Sequence, residues 1–370
     1  SALLDDIKRC EKNELPDVFE NDFFVFGLKE LKYLIVLASI MCRKYDVMVT
    51  NPPYLATLKT EKFFQTYCID NYPFSKDDLF AIFMEINFVK KGGFKAILNP
   101  DSWMFINSYS KFRENLIEKY TFVNMCHLGM GLLDATVHVT SFVMREMHIS
   151  HFNTSFKKMI DDKTMFINNF EGCEMFIKDC NIFKNISQLP FGYWLSNPMI
   201  MSFKSKTIGD YAVDKAGMVT GKDEYFVKFW YEVNLNNINF KPNVDNKQKY
   251  VPYQKGGAFK RFYGNNYYVL NLRDLYDNSI AGKSVRRGDP DYYFKPALGW
   301  SLIGTNLKKS FRLINYSCCG TATPSIYFQN NDELYYALAF VNTIISEKMI
   351  AVLNPTLNLL STDVKRMPLT

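Results

Sequence analysis

Apolar positions in the first 150 residues follow two alternating periods. "GLKELKYLIVLASIMCRK" (27–44) has helical spacing and ends in basic residues, which suit a helix C-terminus. "YDVMVT" (45–50) is a short β-branched run that reads as a buried strand of a parallel sheet. "SKDDLFAIFMEINFVKK" (75–91) opens on a serine that can cap and on first-turn acids. It carries apolar residues at 79, 82, 83, 86 and 89, and it stops at Gly92-Gly93, so a helix is predicted. Strands follow at 94–99, 121–129 and 138–147, with a helix at 108–120 between the first two. This repetition predicts a doubly wound α/β sheet that ends in two consecutive strands, an antiparallel hairpin among them.

Beyond about residue 165 the texture changes. Asn, Lys, Tyr and Gly become frequent, and loops such as "NLNNINFKPNVDNKQKYVPYQKGGAFKRFYGNNYYV" dominate. The expected class is α/β followed by α+β, with domains at 1–165 and 166–370. The second should hold many short strands and one late helix around 332–353.

Charge sharpens that division. The 370-residue chain has a net charge of +6. Residues 1–150 hold 17 Lys and Arg against 19 Asp and Glu, which leaves 27 against 19 for the rest. A basic second half beside a near-neutral first half points to a polyanion partner. The eight cysteines lack CxxC spacing, so reduced cytoplasmic thiols are the expectation. No HxxxH pattern, signal peptide or apolar run of about 18 residues is present, and neither a metal site nor a membrane partner is predicted.

The strand at 45–50 ends in Asn51-Pro52-Pro53-Tyr54. Proline donates no N–H and fixes φ, so the elbow is stiff and rich in acceptors. The carboxyl edge of a parallel sheet is where α/β folds hold ligands. An Asn51 amide oxygen and a Pro52 carbonyl aimed at the two hydrogens of an exocyclic amine would pull that nitrogen toward a tetrahedral shape and free its lone pair. The Tyr54 ring would hold a planar base by stacking, worth ~1–3 kcal/mol. A base within a duplex must first be flipped out.

"YDVMVTNPPY" resembles the catalytic motif of amino-methyltransferases that use S-adenosyl-L-methionine, in the form typical of N6-adenine DNA methylation. RNA and protein-glutamine methyltransferases share it. The ordered series "YPFSKDDLFAIFMEINFVKKGGFKAILNPDSWMF", "FRENLIEKYTFVNMCHLGMG", "FGYWLSNPMI", "AGMVTGKDEYFVKFW", "PYQKGGAFKRFYGNNYYV", "DYYFKPALGWSLI" and "VLNPTLNLLSTDVKRMPL" is similar to the PglX family. These are adenine-specific DNA methyltransferases of BREX phage-defence systems, related to type IIG restriction-modification enzymes. The resemblance runs over 28–370. It implies the distal half of a Rossmann-like methyltransferase sheet followed by a target-recognition domain. It also implies that Asn51 and Pro52 bind the target amine, that Tyr54 stacks on the base, and that Leu79 and Phe83 line the adenosyl side of the cofactor pocket. Partners would be double-stranded DNA and other defence-system proteins.

Two departures qualify that picture. The family's G-x-G cofactor loop should lie well upstream of the elbow, and the residues before Asn51 do not supply it. "HLGMGLL" (127–133) offers a G-x-G only after the later strands, which leaves a permuted reading open. With its Ser1-Ala2 start, the chain is expected to be a fragment that binds cofactor poorly and is inactive alone, with 45–50 as an exposed edge strand. Where relatives place a second base-sandwiching aromatic, this chain has Leu132 and Leu133, with His138 nearby. In the basic half, Lys255, Lys260, Arg261, Arg286 and Arg287 are the candidate DNA contacts. The alternatives are a DNA-binding specificity module and a methyltransferase acting on RNA or on a protein glutamine.

Overall fold

The computed structural model describes residues 22–130, 137–159, 172–243, 247–281, 284–304 and 309–369. The expected boundary at 165/166 and Leu132 and Leu133 lie outside the described residues. The chain forms two compact units, one of residues 1–101 with 115–175 and the other of 102–114 with 176–370.

The first unit opens with α1 (Asp22–Met41) and β1 (Tyr45–Thr50), followed by α2 (Lys62–Asn71), α3 (Leu79–Glu85) and β2 (Val89–Pro100). After α4 (Ser110–Lys119) come β3 (Thr121–Met130), β4 (His138–Arg145), β5 (Asn153–Lys158) and β6 (Glu174–Asp179). The sheet order is β1-β2-β4-β3-β5-β6. β1 and β2 are parallel, as are β3 and β5, while β4 lies antiparallel between β2 and β3. The expected antiparallel pair is therefore present, and its second strand is inserted into the sheet. Phe122 and Phe142 pack edge to face at 5.7 Å and, with Ile97, Met125 and Met144, are buried.

Two expectations are corrected here. The predicted helix over 75–91 shortens to α3, and Val89–Lys91 belong to β2. Gly92 and Gly93, taken as a helix stop, are a bulge inside β2. Between Tyr45↔Val89 and Val47↔Phe94, β1 advances two residues while β2 advances five. Gly92 adopts φ 82°, and a Cβ on Gly93 would lie 2.5 Å from the Asp46 carbonyl oxygen. Only glycine fits that approach. The second correction concerns burial. Among the described residues β1 is the edge of the sheet, as the fragment reading expects and not the buried strand its apolar run suggests, and Val49 is 77% exposed.

Lys95 on β2 is fully buried. Its ammonium lies 2.7 Å from Glu146, donates to the Met84 carbonyl at 3.1 Å and sits over the Tyr120 ring. Burial pulls its pKa below the usual lysine value, and Glu146 opposes that pull.

The second unit holds two four-stranded sheets of short strands. One is ordered β13-β9-β10-β8, with β8 (Val227–Phe229), β9 (Tyr250–Gln254), β10 (Tyr268–Asn271) and β13 (Cys318–Cys319). The other is ordered β12-β11-β14-β7, with β7 (Ala212–Asp214), β11 (Ala297–Trp300), β12 (Phe311–Ile314) and β14 (Ser325–Phe328). Met218, Phe226, Val251, Leu270 and Leu275 form a core cluster behind the first of these sheets. The segment 102–114 is fastened in this unit by Arg113. Its fully buried guanidinium donates to four carbonyls, those of Trp103, Ile106, Gln188 and Leu189, at 2.6–2.9 Å.

The single late helix expected at 332–353 is two helices, α5 (Asn331–Val341) and α6 (Ile344–Leu353), bent by 84°. Asn342 makes the break. Its amide donates to the Leu338 and Phe311 carbonyls and accepts from the Phe311 N–H, all within 3.1 Å. Thr343 then caps α6 by accepting from the Ser346 N–H. Among the described residues no single helix is long and apolar enough to cross a membrane.

Candidate active site

Parallel pairing of β1 with β2 brings their carboxyl ends to one edge of the sheet. Thr50 pairs with Ile97, and the elbow Asn51–Tyr54 continues from there beside Leu98 and Asn99. Pro52 is buried, whereas Asn51, Pro53 and Tyr54 are exposed. Among the described residues the Asn51 side chain and the Pro52 carbonyl make no hydrogen bond. They remain as acceptors without a donor.

The Tyr54 ring is fixed at both ends. Its hydroxyl donates to the Leu98 carbonyl at 3.3 Å, and its edge meets Phe80 at 6.4 Å and 86°. The ring is 38% exposed, which leaves aromatic surface for a flat partner. Partial burial raises its hydroxyl pKa, so the hydroxyl stays protonated and keeps donating to Leu98.

The chain beyond the elbow is pinned to the start of α3. The Asp78 carboxylate accepts from Leu55 N at 3.1 Å and from Phe80 N at 3.3 Å, while Leu79 N donates to the Leu55 carbonyl at 3.0 Å. Thr57 adds its hydroxyl to the Lys76 carbonyl and its N–H to Asp77. Burial raises the Asp78 pKa, and the backbone N–H groups it caps work against that rise. Asp78, not the expected Ser75, is the helix cap. Ser75 is fully buried and donates to the Glu85 carboxylate.

On α3, Phe80, Ala81, Ile82 and Met84 are buried, while Leu79 and Phe83 are half-buried. One helical turn apart, these two stand on the less covered face of the helix that the elbow is tied to.

Asp101, just past β2, accepts from His127 across a 2.7 Å contact, and His138 Nδ1 lies 4.0 Å from the same oxygen. His127 is buried at the end of β3. Among the described residues no group of three His, Cys, Asp or Glu could hold a metal. Asp78 and Asp101 were not singled out in the sequence. An Asp directly before the apolar run "LFAIF" is the signal for the first, while the pairing of Asp101 with His127 is 26 residues apart and leaves no local trace.

In the second unit the five expected DNA contacts divide. Lys255 pairs with Asp223 at 2.7 Å, and Arg261 lies 3.5 Å from Glu347 and stacks on Phe259. Arg287 donates to the Leu275 carbonyl and stacks on Tyr276 at 5.0 Å. Lys260 and Arg286 are exposed and make no ion pair among the described residues.

Residues 3–131 match the family model described as Eco57I restriction-modification methylase. The chain is a homologue of the adenine-specific methyltransferases PglX and BrxX. It is 27% identical over 372 residues to adenine-specific methyltransferase PglX of Lacticaseibacillus casei (strain Zhang), covering 92% of this chain and 30% of that protein. It is 30% identical over 356 residues to adenine-specific methyltransferase BrxX of Escherichia coli O9:H4 (strain HS), covering 92% and 29%. The chain thus spans about 30% of the length of these curated relatives. Among solved structures, a nuclease-deletion mutant of the Type ISP restriction-modification enzyme LlaGI with a DNA substrate mimic gives a TM-score of 0.47 at 13% identity, over 96% of this chain and 36% of that one. The Type IIL restriction-modification enzyme MmeI in complex with DNA gives 0.47 at 11%, over 79% and 42%.

Proposed function

We propose that this chain carries the amine-holding part of an N6-adenine DNA methyltransferase site and the unit that recognises duplex DNA, in a restriction-modification or phage-defence setting. The observation that carries this reading is the elbow: two acceptors, Asn51 and the Pro52 carbonyl, without donors among the described residues, next to the Tyr54 ring, which is held through its hydroxyl and Phe80. Homology to adenine-specific methyltransferases supports the choice of an adenine amine over other amines.

In this site Asn51 and the Pro52 carbonyl accept the two N6 hydrogens and pull the nitrogen toward a tetrahedral shape, which withdraws its lone pair from the ring; one of the two N6 protons is then lost to solvent as the N–C bond forms. Pro53 keeps the elbow rigid, and Tyr54 stacks on the flipped adenine. Asp78 and Thr57 tie the chain just after the elbow to the start of α3, which limits the reorganisation of the elbow backbone when charge develops. Leu79 and Phe83 face the adenosyl group of S-adenosyl-L-methionine, whose sulfonium supplies an electrophilic methyl when bound. The half-buried, apolar i, i+4 pair fits a flat adenosyl ring. The described residues thus fit the target side of the reaction and one wall of the cofactor side.

Residues 1–165 contribute the catalytic part and 166–370 the recognition part, where Lys255, Lys260, Arg261, Arg286 and Arg287 neutralise phosphates. Ion pairing ranks Lys260 and Arg286 first, since among the described residues no acid pairs with either in competition with phosphate. The basic second half disfavours a protein-glutamine substrate. A second reading is a DNA-specificity module without activity of its own. Titration with labelled S-adenosyl-L-methionine and with duplex DNA separates the two. Cofactor binding together with DNA binding fits the enzyme reading, DNA binding alone fits the module, and absence of DNA binding at low salt contradicts both.

A further inference from the structure

We infer that the loop between β9 and β10, residues 256–266, is a rigid aromatic wedge that enters the base stack of duplex DNA. This rests on the DNA reading above and adds how the chain grips its partner. From Gln254 to Tyr268 the chain holds three cations and no acid. Phe259, Phe262, Tyr263 and Tyr267 are all exposed there, Tyr263 to 73%.

Such rings on a pliant loop would fold back onto the protein surface, but this loop is locked. Gly256, Gly257, Phe262, Gly264 and Asn265 all have φ between 61° and 138°. For a phenylalanine that conformation costs about 1–3 kcal/mol and persists only where the surroundings enforce it. Phe262 N donates to the Phe311 carbonyl at 2.8 Å, and Leu313 N donates to the Phe262 carbonyl at 2.9 Å, so β12 clamps the residue on both sides. Across the neck, buried Asn265 donates to the Ala258 carbonyl at 2.9 Å. A Cβ on Gly257 would lie 2.7 Å from that amide. Beneath the loop, fully buried Arg312 donates to the Gly256 carbonyl at 3.2 Å.

A backbone fixed in this way holds its rings in water and loses little ordering entropy on binding. The partner that matches flat apolar rings set among cations is a polyanion with stacked π-faces. Lys260 lies between the rings without an ion pair. Arg261 is drawn back onto Phe259 and Glu347, so Lys260 is the phosphate contact and Phe262 and Tyr263 are the stacking tip.

Fluorescence anisotropy of the chain with labelled duplexes over a range of salt tests this. Wild type should bind intact duplex. Tyr263→Ala should weaken that binding about tenfold with the slope of log K against log salt unchanged, since stacking releases no counterions. The loss should be largely recovered on a duplex with a central mismatch, which opens without a wedge. Lys260→Ala should instead lower the slope by about 1. Tyr263→Trp should keep wild-type affinity, and far-UV circular dichroism checks that each variant is folded. Wild-type affinity for intact duplex in Tyr263→Ala, or an equal loss on intact and mismatched duplexes, overturns the wedge while leaving DNA binding in place. No duplex binding by wild type overturns the underlying DNA reading as well.

Discussion

Arg113 offers the most direct test of how the second unit is assembled. Its guanidinium is fully buried and among the described residues meets no carboxylate; four carbonyls surround it, at 2.6–2.9 Å. Burial pushes its pKa down to about 9, and the four acceptors favour the charged form against that pull. Arg113→Met keeps most of the volume and removes every donor. Each hydrogen bond to a charged group contributes about 1.5–3 kcal/mol, and the relief of burying no charge returns part of that sum. A net loss of about 3–5 kcal/mol is expected, the range for removing one partner from a buried charged network. All four tryptophans, at 103, 194, 230 and 300, belong to this unit, so intrinsic fluorescence reports its unfolding alone. With a urea m-value of about 2–3 kcal/mol/M, the midpoint should fall by about 1–2 M. A shift smaller than about 0.3 M would show that the four carbonyls find other donors, and the proposed fastening of 102–114 would fail.

Two further outcomes follow from the first unit. Asp78→Ala should remove protection from the Leu55 and Phe80 amides in hydrogen exchange and cost about 1–2 kcal/mol, as for loss of a helix cap; unchanged protection of Leu55 would separate the elbow from α3. Replacing both partners, Lys95→Met with Glu146→Leu, should be neutral or stabilising, whereas Glu146→Ala alone leaves a buried ammonium unpaired and should cost about 3–5 kcal/mol in thermal unfolding. The lowered Lys95 pKa means the native state sheds this proton before the unfolded chain does. Wild type should therefore gain stability as pH rises from that lowered value toward 10.5, and Lys95→Met should lack this gain.

The elements that sequence reading located were those with one dominant local signal. β1 was legible because "YDVMVT" is β-branched and ends at two prolines. What escaped was decided at long range. Phe88 and Val89 extend the helical spacing past Glu85, so the strand that β1 recruits at Val89 is invisible locally, as is the bulge at Gly92-Gly93. Asn342 sits mid-run in an apolar helix pattern, and only its bonds to Phe311, 31 residues away, make it a break. The elbow is four contiguous residues, Asn51–Tyr54, and so visible as a sequence pattern. Its supports, Asp78 and the Leu98 carbonyl, come from neighbouring elements, and the ion pairs of Lys255 and Arg261 with Asp223 and Glu347 depend on tertiary packing.

The central claim is that Asn51 and Pro52 hold the amine that is methylated. It is tested by following labelled methyl transfer from S-adenosyl-L-methionine to duplex DNA, with N6-methyladenine identified by mass spectrometry, in the natural protein that carries this sequence and in its Asn51→Ala variant. The account predicts a fall of about a hundredfold to a thousandfold in methyl transfer, with DNA affinity within about threefold of wild type. Adenine methylation by Asn51→Ala at the wild-type rate would contradict it.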